Sequence, residues 1–148
     1  ILGLALAVGL GAGGAARLLG VSWSPQAPPA SAFRPASASD LHAALASGNP
    51  AVIDFWADYC AICKKLDKTV FREQRLKDAL QGVAALKIDV EQFPEIASRY
   101  RVTGVPLLVF VDSSGAERLD LRSGAPDSVE DLLDRIARLK SPSPAARP

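Results

Sequence analysis

The chain has 148 residues, 49% hydrophobic and 22% charged, with two Cys, one His and no Met. That length suits a single domain, the apolar content excludes wholesale disorder, and two Cys exclude a scaffold stapled by several disulfides. Its 17 basic and 16 acidic side chains give a net charge of +1, too balanced for a nucleic-acid binder.

The charges are unevenly placed. Residues 1–39 carry only Arg17 and Arg34 and no acid, which leaves 15 of the 17 basic and all 16 acidic groups to residues 40–148. Ile1 to Ala16 has no polar side chain, and Leu18, Leu19 and Val21 extend the apolar character beyond Arg17. Sixteen helical residues span roughly 24 Å, short of a ~30 Å hydrocarbon core. Residues 1–21 are therefore expected to be the end of a transmembrane helix, with Trp23 at the membrane interface. A signal-peptide core and a buried soluble helix are the rival readings. Glycines at 3, 9, 11, 13 and 14 speak against the soluble helix. A start at Ile1 instead of Met suggests a processed product or a piece of a longer protein. Residues 22–38, with Pro25, Pro28, Pro29 and Pro35 among Ala and Ser, read as a semi-extended linker.

Residues 39–140 carry the globular pattern, and 141–148 read as a disordered tail. Ser39 is the expected N-cap of a helix over residues 40–47, stopped by Gly48. Ala51 to Ala57 reads as a strand buried on both faces. A helix follows Cys60 with Ile62, Leu66 and Val70 on one stripe; a slip of about 240° between Val70 and Leu76 predicts a break near Phe71–Arg72. Strands are expected over residues 83–90 and 107–111, a helix begins near Pro94, and Ser113-Ser114-Gly115 turns the chain into a fourth strand over residues 116–122. Residues 127–139 form an amphipathic helix. This order implies an α/β sandwich, with parallel strands first and an antiparallel hairpin after.

Cys60-Ala61-Ile62-Cys63 is the chemical centre. Zinc needs about four ligands, and the single His, His42, lies on another helix. A structural bridge across so short a loop constrains the unfolded chain little. A redox pair is the favoured reading. Cys60 falls at a helix N-terminus, where free N–H groups and the helix dipole lower a thiol pKa from its free value of about 8.5. Cys60 is thus expected to be the accessible nucleophile, and Cys63, one turn inward, the resolving thiol. Asp54 lies inside an apolar strand; burial raises a carboxyl pKa and suits it to proton transfer, unless the group sits in water at a strand end. Asp67 shares the cysteines' helix face and acts on them by like-charge repulsion, unless it is a surface acid pairing with Lys64 or Lys68. Thr103-Gly104-Val105-Pro106 suggests a turn with a cis bond, although a trans turn fits the pattern too.

The segment Asp54-Phe55-Trp56-Ala57-Asp58-Tyr59-Cys60-Ala61-Ile62-Cys63-Lys64, together with Gly104-Val105-Pro106, resembles the active-site and cis-proline motifs of the thioredoxin superfamily over about residues 33–140. Ala-Ile between the cysteines, with Thr69-Val70-Phe71 beyond, is most similar to the C-terminal periplasmic domain of the DsbD thiol:disulfide interchange family. The resemblance implies a thioredoxin fold, a mixed sheet with helices on both faces. It implies thiol–disulfide exchange through Cys60 and Cys63, modulated by Asp54 and Asp67, with no metal or other cofactor. It places Trp56, Tyr59, Val105 and Pro106 against the substrate, with Pro106 in cis. It further implies electron flow from a membrane domain to disulfide-bearing partners outside the cytoplasm, from a domain held at the inner membrane by the N-terminal segment. The alternatives are a stand-alone tethered reductase, serving cytochrome maturation or metallochaperones, and a non-catalytic binding module of the same fold.

Overall fold

The computed structural model describes residues 30–141. The expected membrane-helix end, most of the linker and the tail beyond residue 141 lie outside the described residues. Among the described residues no helix is long and apolar enough to cross a membrane.

A four-stranded sheet in the order β1-β3-β2-β4 forms the centre. Its strands are β1 Arg34–Pro35, β2 Ala51–Trp56, β3 Ala84–Asp89 and β4 Leu107–Val111. β2 runs parallel to β3, from Ala51 opposite Ala84 to Trp56 opposite Asp89, and antiparallel to β4. The helices are α1 Ala38–Ala46, α2 Ala61–Lys68, α3 Gln74–Ala79, α4 Pro94–Arg99 and α5 Val129–Lys140. Alternation along β2 divides two cores. Ala51, Ile53 and Phe55 pack with Leu41 of α1 and Ile96 of α4. Val52 packs on the other face with Leu66 of α2, Phe71, Leu76 of α3 and Leu132 and Ile136 of α5. A strand that serves both cores needs apolar residues at every position, which is why β2 reads as a continuous run. The single acid within it, Asp54, falls on the face covered by α2.

The expected sandwich is present, with several differences in detail. The linker does not extend to residue 38: Arg34 and Pro35 pair in parallel with Leu86 and Lys87, and Phe33 is buried against Phe71 with ring centroids 4.6 Å apart. Pro35 has no N–H to donate, and β1 lies at the sheet edge where that matters least. The N-cap of α1 is Ser37 instead of Ser39. Its hydroxyl accepts from the Asp40 N–H while the Asp40 carboxylate accepts from the Ser37 N–H, a reciprocal box that needs the three-residue spacing only Ser37 offers. The expected break after α2 is a 3-10 turn at Val70–Arg72, followed by α3.

The fourth expected strand, residues 116–122, is not formed. The chain touches β4 only at isolated bridges, Val111 with Glu117 and Leu108 with Ser123. Between them the Leu121 N–H bonds back to the Arg118 carbonyl, and Arg118 forks onto Asp120. That local turn lifts the segment off the ladder while still burying Leu121.

Candidate functional site

The site forms where β2 ends and α2 begins. The Cys60 N–H bonds the Ala57 carbonyl, closing the turn that joins the two elements. Cys60 is the N-cap of α2, and its Sγ accepts from the Cys63 N–H at 3.1 Å. The two sulfurs are joined in a disulfide across Cα atoms 5.3 Å apart. Opposite them, β4 starts at Leu107, in register with Phe55, so the Val105–Pro106 turn lies at the same end of the sheet. That peptide bond is cis, as the motif suggested.

Exposure refines the expected asymmetry. Cys63 is fully buried and Cys60 is 7% exposed, so in the disulfide state Cys60 is a small opening in the surface and not an accessible side chain. The surroundings supply the exposed surface: Tyr59 is 72% exposed and Ile62 54% exposed. Ile62, expected on the inner stripe of α2, instead points outward beside the disulfide; only Cys63 and Leu66 are buried along that helix.

On the face of the sheet that α2 covers lies a charged cluster centred on Lys87, a residue the sequence pattern did not single out. Lys87 sits in β3 directly opposite Asp54 and is buried. Its ammonium lies 3.7 Å from the Asp54 carboxylate, bonds the Asp67 carboxylate and stands 4.5 Å over the Trp56 ring. Asp67 also accepts from the Ser31 hydroxyl at 3.2 Å. Asp67 therefore turns inward to Lys87, not outward to Lys64 or Lys68. Asp54 is completely buried, not at a wet strand end, and neither of its oxygens has a hydrogen-bond partner among the described residues. Burial pushes its carboxyl up to about 7, against the pull of Lys87 and with a smaller push from Asp67. A lysine inside the apolar run of residues 83–90 was the one available signal for this partner: a buried charge requires an opposite charge nearby.

Of the expected site residues, the structure brings Asp54, Asp67 and Trp56 together around Lys87, while Cys60 and Cys63 form the buried disulfide at the start of α2, next to the exposed Tyr59. Val105 and Pro106 come from the opposing turn. His42, the nitrogen ligand that a zinc reading would need, lies on α1, across the sheet from α2. Among the described residues no group of three His, Cys, Asp or Glu side chains is placed to hold a metal ion.

A sequence-family model described as Thioredoxin matches residues 34–137. The thiol:disulfide interchange protein DsbD of Pseudomonas fluorescens is 36% identical over 86 residues, 55% of this chain and 15% of that protein. The chloroplastic thioredoxin-like protein HCF164 of Oryza sativa subsp. japonica is 31% identical over 110 residues, 74% of this chain and 41% of that protein. The chain thus spans less than half the length of these curated relatives. The X-ray structure of Fasciola hepatica thioredoxin superposes with a TM-score of 0.60 at 31% identity, covering 73% of this chain and 100% of that one.

Proposed function

The chain belongs to the thioredoxin family, and from that premise we propose that it is a reductase that passes electrons from a membrane-borne donor to protein disulfides outside the cytoplasm. The observation that carries the exchange chemistry is the Cys60–Cys63 disulfide at the N-cap of α2. The Cys63 N–H already aims at the Cys60 sulfur. Helix N-terminal N–H groups of this kind stabilise a thiolate when the bridge opens.

In the reduced protein the Cys60 thiolate attacks one sulfur of a substrate disulfide. That S–S bond breaks, a mixed disulfide forms, and the departing sulfur takes up a proton. Cys63 then loses its proton, attacks the Cys60 sulfur and expels the second substrate thiol. Two electrons have moved from the dithiol to the substrate, and the product is the Cys60–Cys63 disulfide seen here. A donor dithiol returns the pair to the reduced state. The redox equivalent is the cysteine pair itself.

Asp54 is the group we assign to the Cys63 proton. A carboxyl pushed up to about 7 is near half-ionised at neutral pH, so it accepts a proton and gives it up again without a large barrier. Lys87 and Asp67 hold it there as positioning residues. We assign substrate contact to Trp56 and Tyr59, which precede Cys60 in the chain, and to Val105 and Pro106, whose turn lies at the same end of the sheet.

The direction of flow rests on the likeness to proteins named for thiol:disulfide interchange and on the apolar sequence of residues 1–21. The wider match to a thioredoxin-like chloroplast protein favours, as the second reading, a tethered reductase without a large membrane domain. Reduction of a protein disulfide with dithiothreitol as electron source tests the chemistry. Wild-type protein accelerates it and Cys60→Ser does not; equal rates with the two proteins would remove the cysteine pair from the reaction. Partners captured by Cys63→Ser in the native compartment test the direction. Capture of an upstream membrane protein together with extracytoplasmic targets supports the reading, and capture of cytoplasmic proteins alone opposes it.

A further inference from the structure

The exchange chemistry leaves the outer face of α2 unused. At 100° per residue, Cys60, Lys64, Lys68, Ala61 and Lys65 fall within one arc of about 140°. The acid of the same helix, Asp67, falls beside Cys60 at the edge of that arc, where its carboxylate is turned inward and taken by Lys87. Lys64 pairs with Asp58, whereas Lys65 and Lys68 have no ion-pair partner among the described residues. Residues 30–141 hold 15 basic and 16 acidic side chains, so this concentration of cations is local and does not follow from a basic domain. Ala61, Lys64, Lys65, Lys68 and Thr69 line a shallow groove of about 430 Å³ that starts beside the disulfide. Its apolar neighbours are the exposed side chains of Tyr59 and Ile62.

We propose, resting on the exchange reaction above, that this face docks a disulfide-bearing polypeptide with acidic residues flanking the cysteine under attack. The groove opens at Ala61, next to Cys60, so the chain joined to the attacked sulfur is the occupant within reach. Along the helix axis Lys64 lies about 6 Å and Lys68 about 12 Å from Cys60. An extended peptide advances about 3.3 Å per residue. Acids roughly two to four residues from the substrate cysteine therefore meet the lysines, while apolar residues nearer the sulfur meet Tyr59 and Ile62. Charges at an exposed rim act mainly on encounter rate and partner choice, and salt screens them.

The test compares two disulfide peptides that differ only in Asp or Ser at these flanking positions, with hydroxyethyl disulfide as a neutral small substrate. The wild-type protein is expected to reduce the acidic peptide with roughly tenfold higher kcat/KM at low salt, a preference lost at high salt. Lys65→Glu with Lys68→Glu abolishes or inverts the preference and leaves the rates on hydroxyethyl disulfide and on the Ser peptide unchanged. Lys65→Gln with Lys68→Gln gives an intermediate result. Equal rates on the two peptides, or an unaltered preference in the double variants, would overturn the docking face. So would lysine-dependent binding to phosphatidylglycerol vesicles without any peptide preference, which would assign the lysines to a lipid surface. No reduction of hydroxyethyl disulfide by the wild-type protein would instead remove the exchange chemistry, and the docking face with it.

Discussion

Replacing Asp54 by Asn in the disulfide form isolates the energy stored in the buried carboxyl. The group titrates at 3.8 in an unfolded chain and is pushed up to about 7 in the fold. The folded state therefore binds the proton more tightly than the unfolded state. Stability from this group is full below the unfolded value and falls as pH rises toward 7. A difference of roughly 3 units at 1.36 kcal/mol each is on the order of 4 kcal/mol, of which roughly 3 kcal/mol falls between about pH 5 and pH 9. Lys87 keeps Asp67 as a partner when Asp54 is neutralised, so the substitution does not strand a buried cation. The burial cost of the new amide is the same at both pH values and drops out of the difference. Urea unfolding of oxidised wild-type and Asp54→Asn protein at these two pH values measures it. Relative to wild type, the variant should gain roughly 3 kcal/mol on going from the lower pH to the higher. Parallel pH profiles for the two proteins would refute the assignment of a raised pKa to Asp54.

Other consequences are equally open to measurement. Lys87→Met removes the cation that draws the Asp54 carboxyl downward, so the Asp54 titration followed by carbon NMR should move above 7; a downward move would contradict the ion-pair account. Phe33→Ala empties a buried site against Phe71 and should cost about 3 kcal/mol in chemical denaturation, whereas a residue in a plain linker would cost nothing. Ser37→Ala should cost about 1 kcal/mol through loss of the α1 cap. Ser39→Ala should stay within a few tenths by the same assay, since its hydroxyl is not the cap.

Much of this fold was legible because β2, β3 and β4 are short and mostly apolar. β2, β3 and β4 serve two cores or one deep core, and continuous hydrophobic runs report that directly. α2 and α3 announced their break through the phase slip between Val70 and Leu76. What escaped was structure without periodicity. β1 is two residues long and contains a proline, so its membership in the sheet depends on Phe33 and Ala36 finding the cores, a tertiary event. The segment after β4 carried an alternating pattern, yet the Arg118–Leu121 turn overrode it. At the site, the cysteines, Asp54 and the proline turn were readable from motif and burial logic. Lys87 was not, because its role arises only from the β2–β3 register that sets it opposite Asp54. Asp67 was legible as sharing the cysteines' helix face, but its pairing with Lys87 was not, since helix spacing offers only Lys64 and Lys68 as cationic neighbours while the sheet supplies a cation from below.

The central claim is that Cys60 attacks and Cys63 resolves, and intact-protein mass spectrometry tests it most directly. Reduced Cys63→Ser protein is mixed with a disulfide-bonded substrate, and the adduct is mapped by peptide digestion. The account predicts a stable mixed disulfide on Cys60 that persists until an external thiol is added, and no adduct of comparable yield on Cys63 in the Cys60→Ser variant. Rapid turnover without an adduct by Cys63→Ser, or efficient trapping at Cys63, would contradict it.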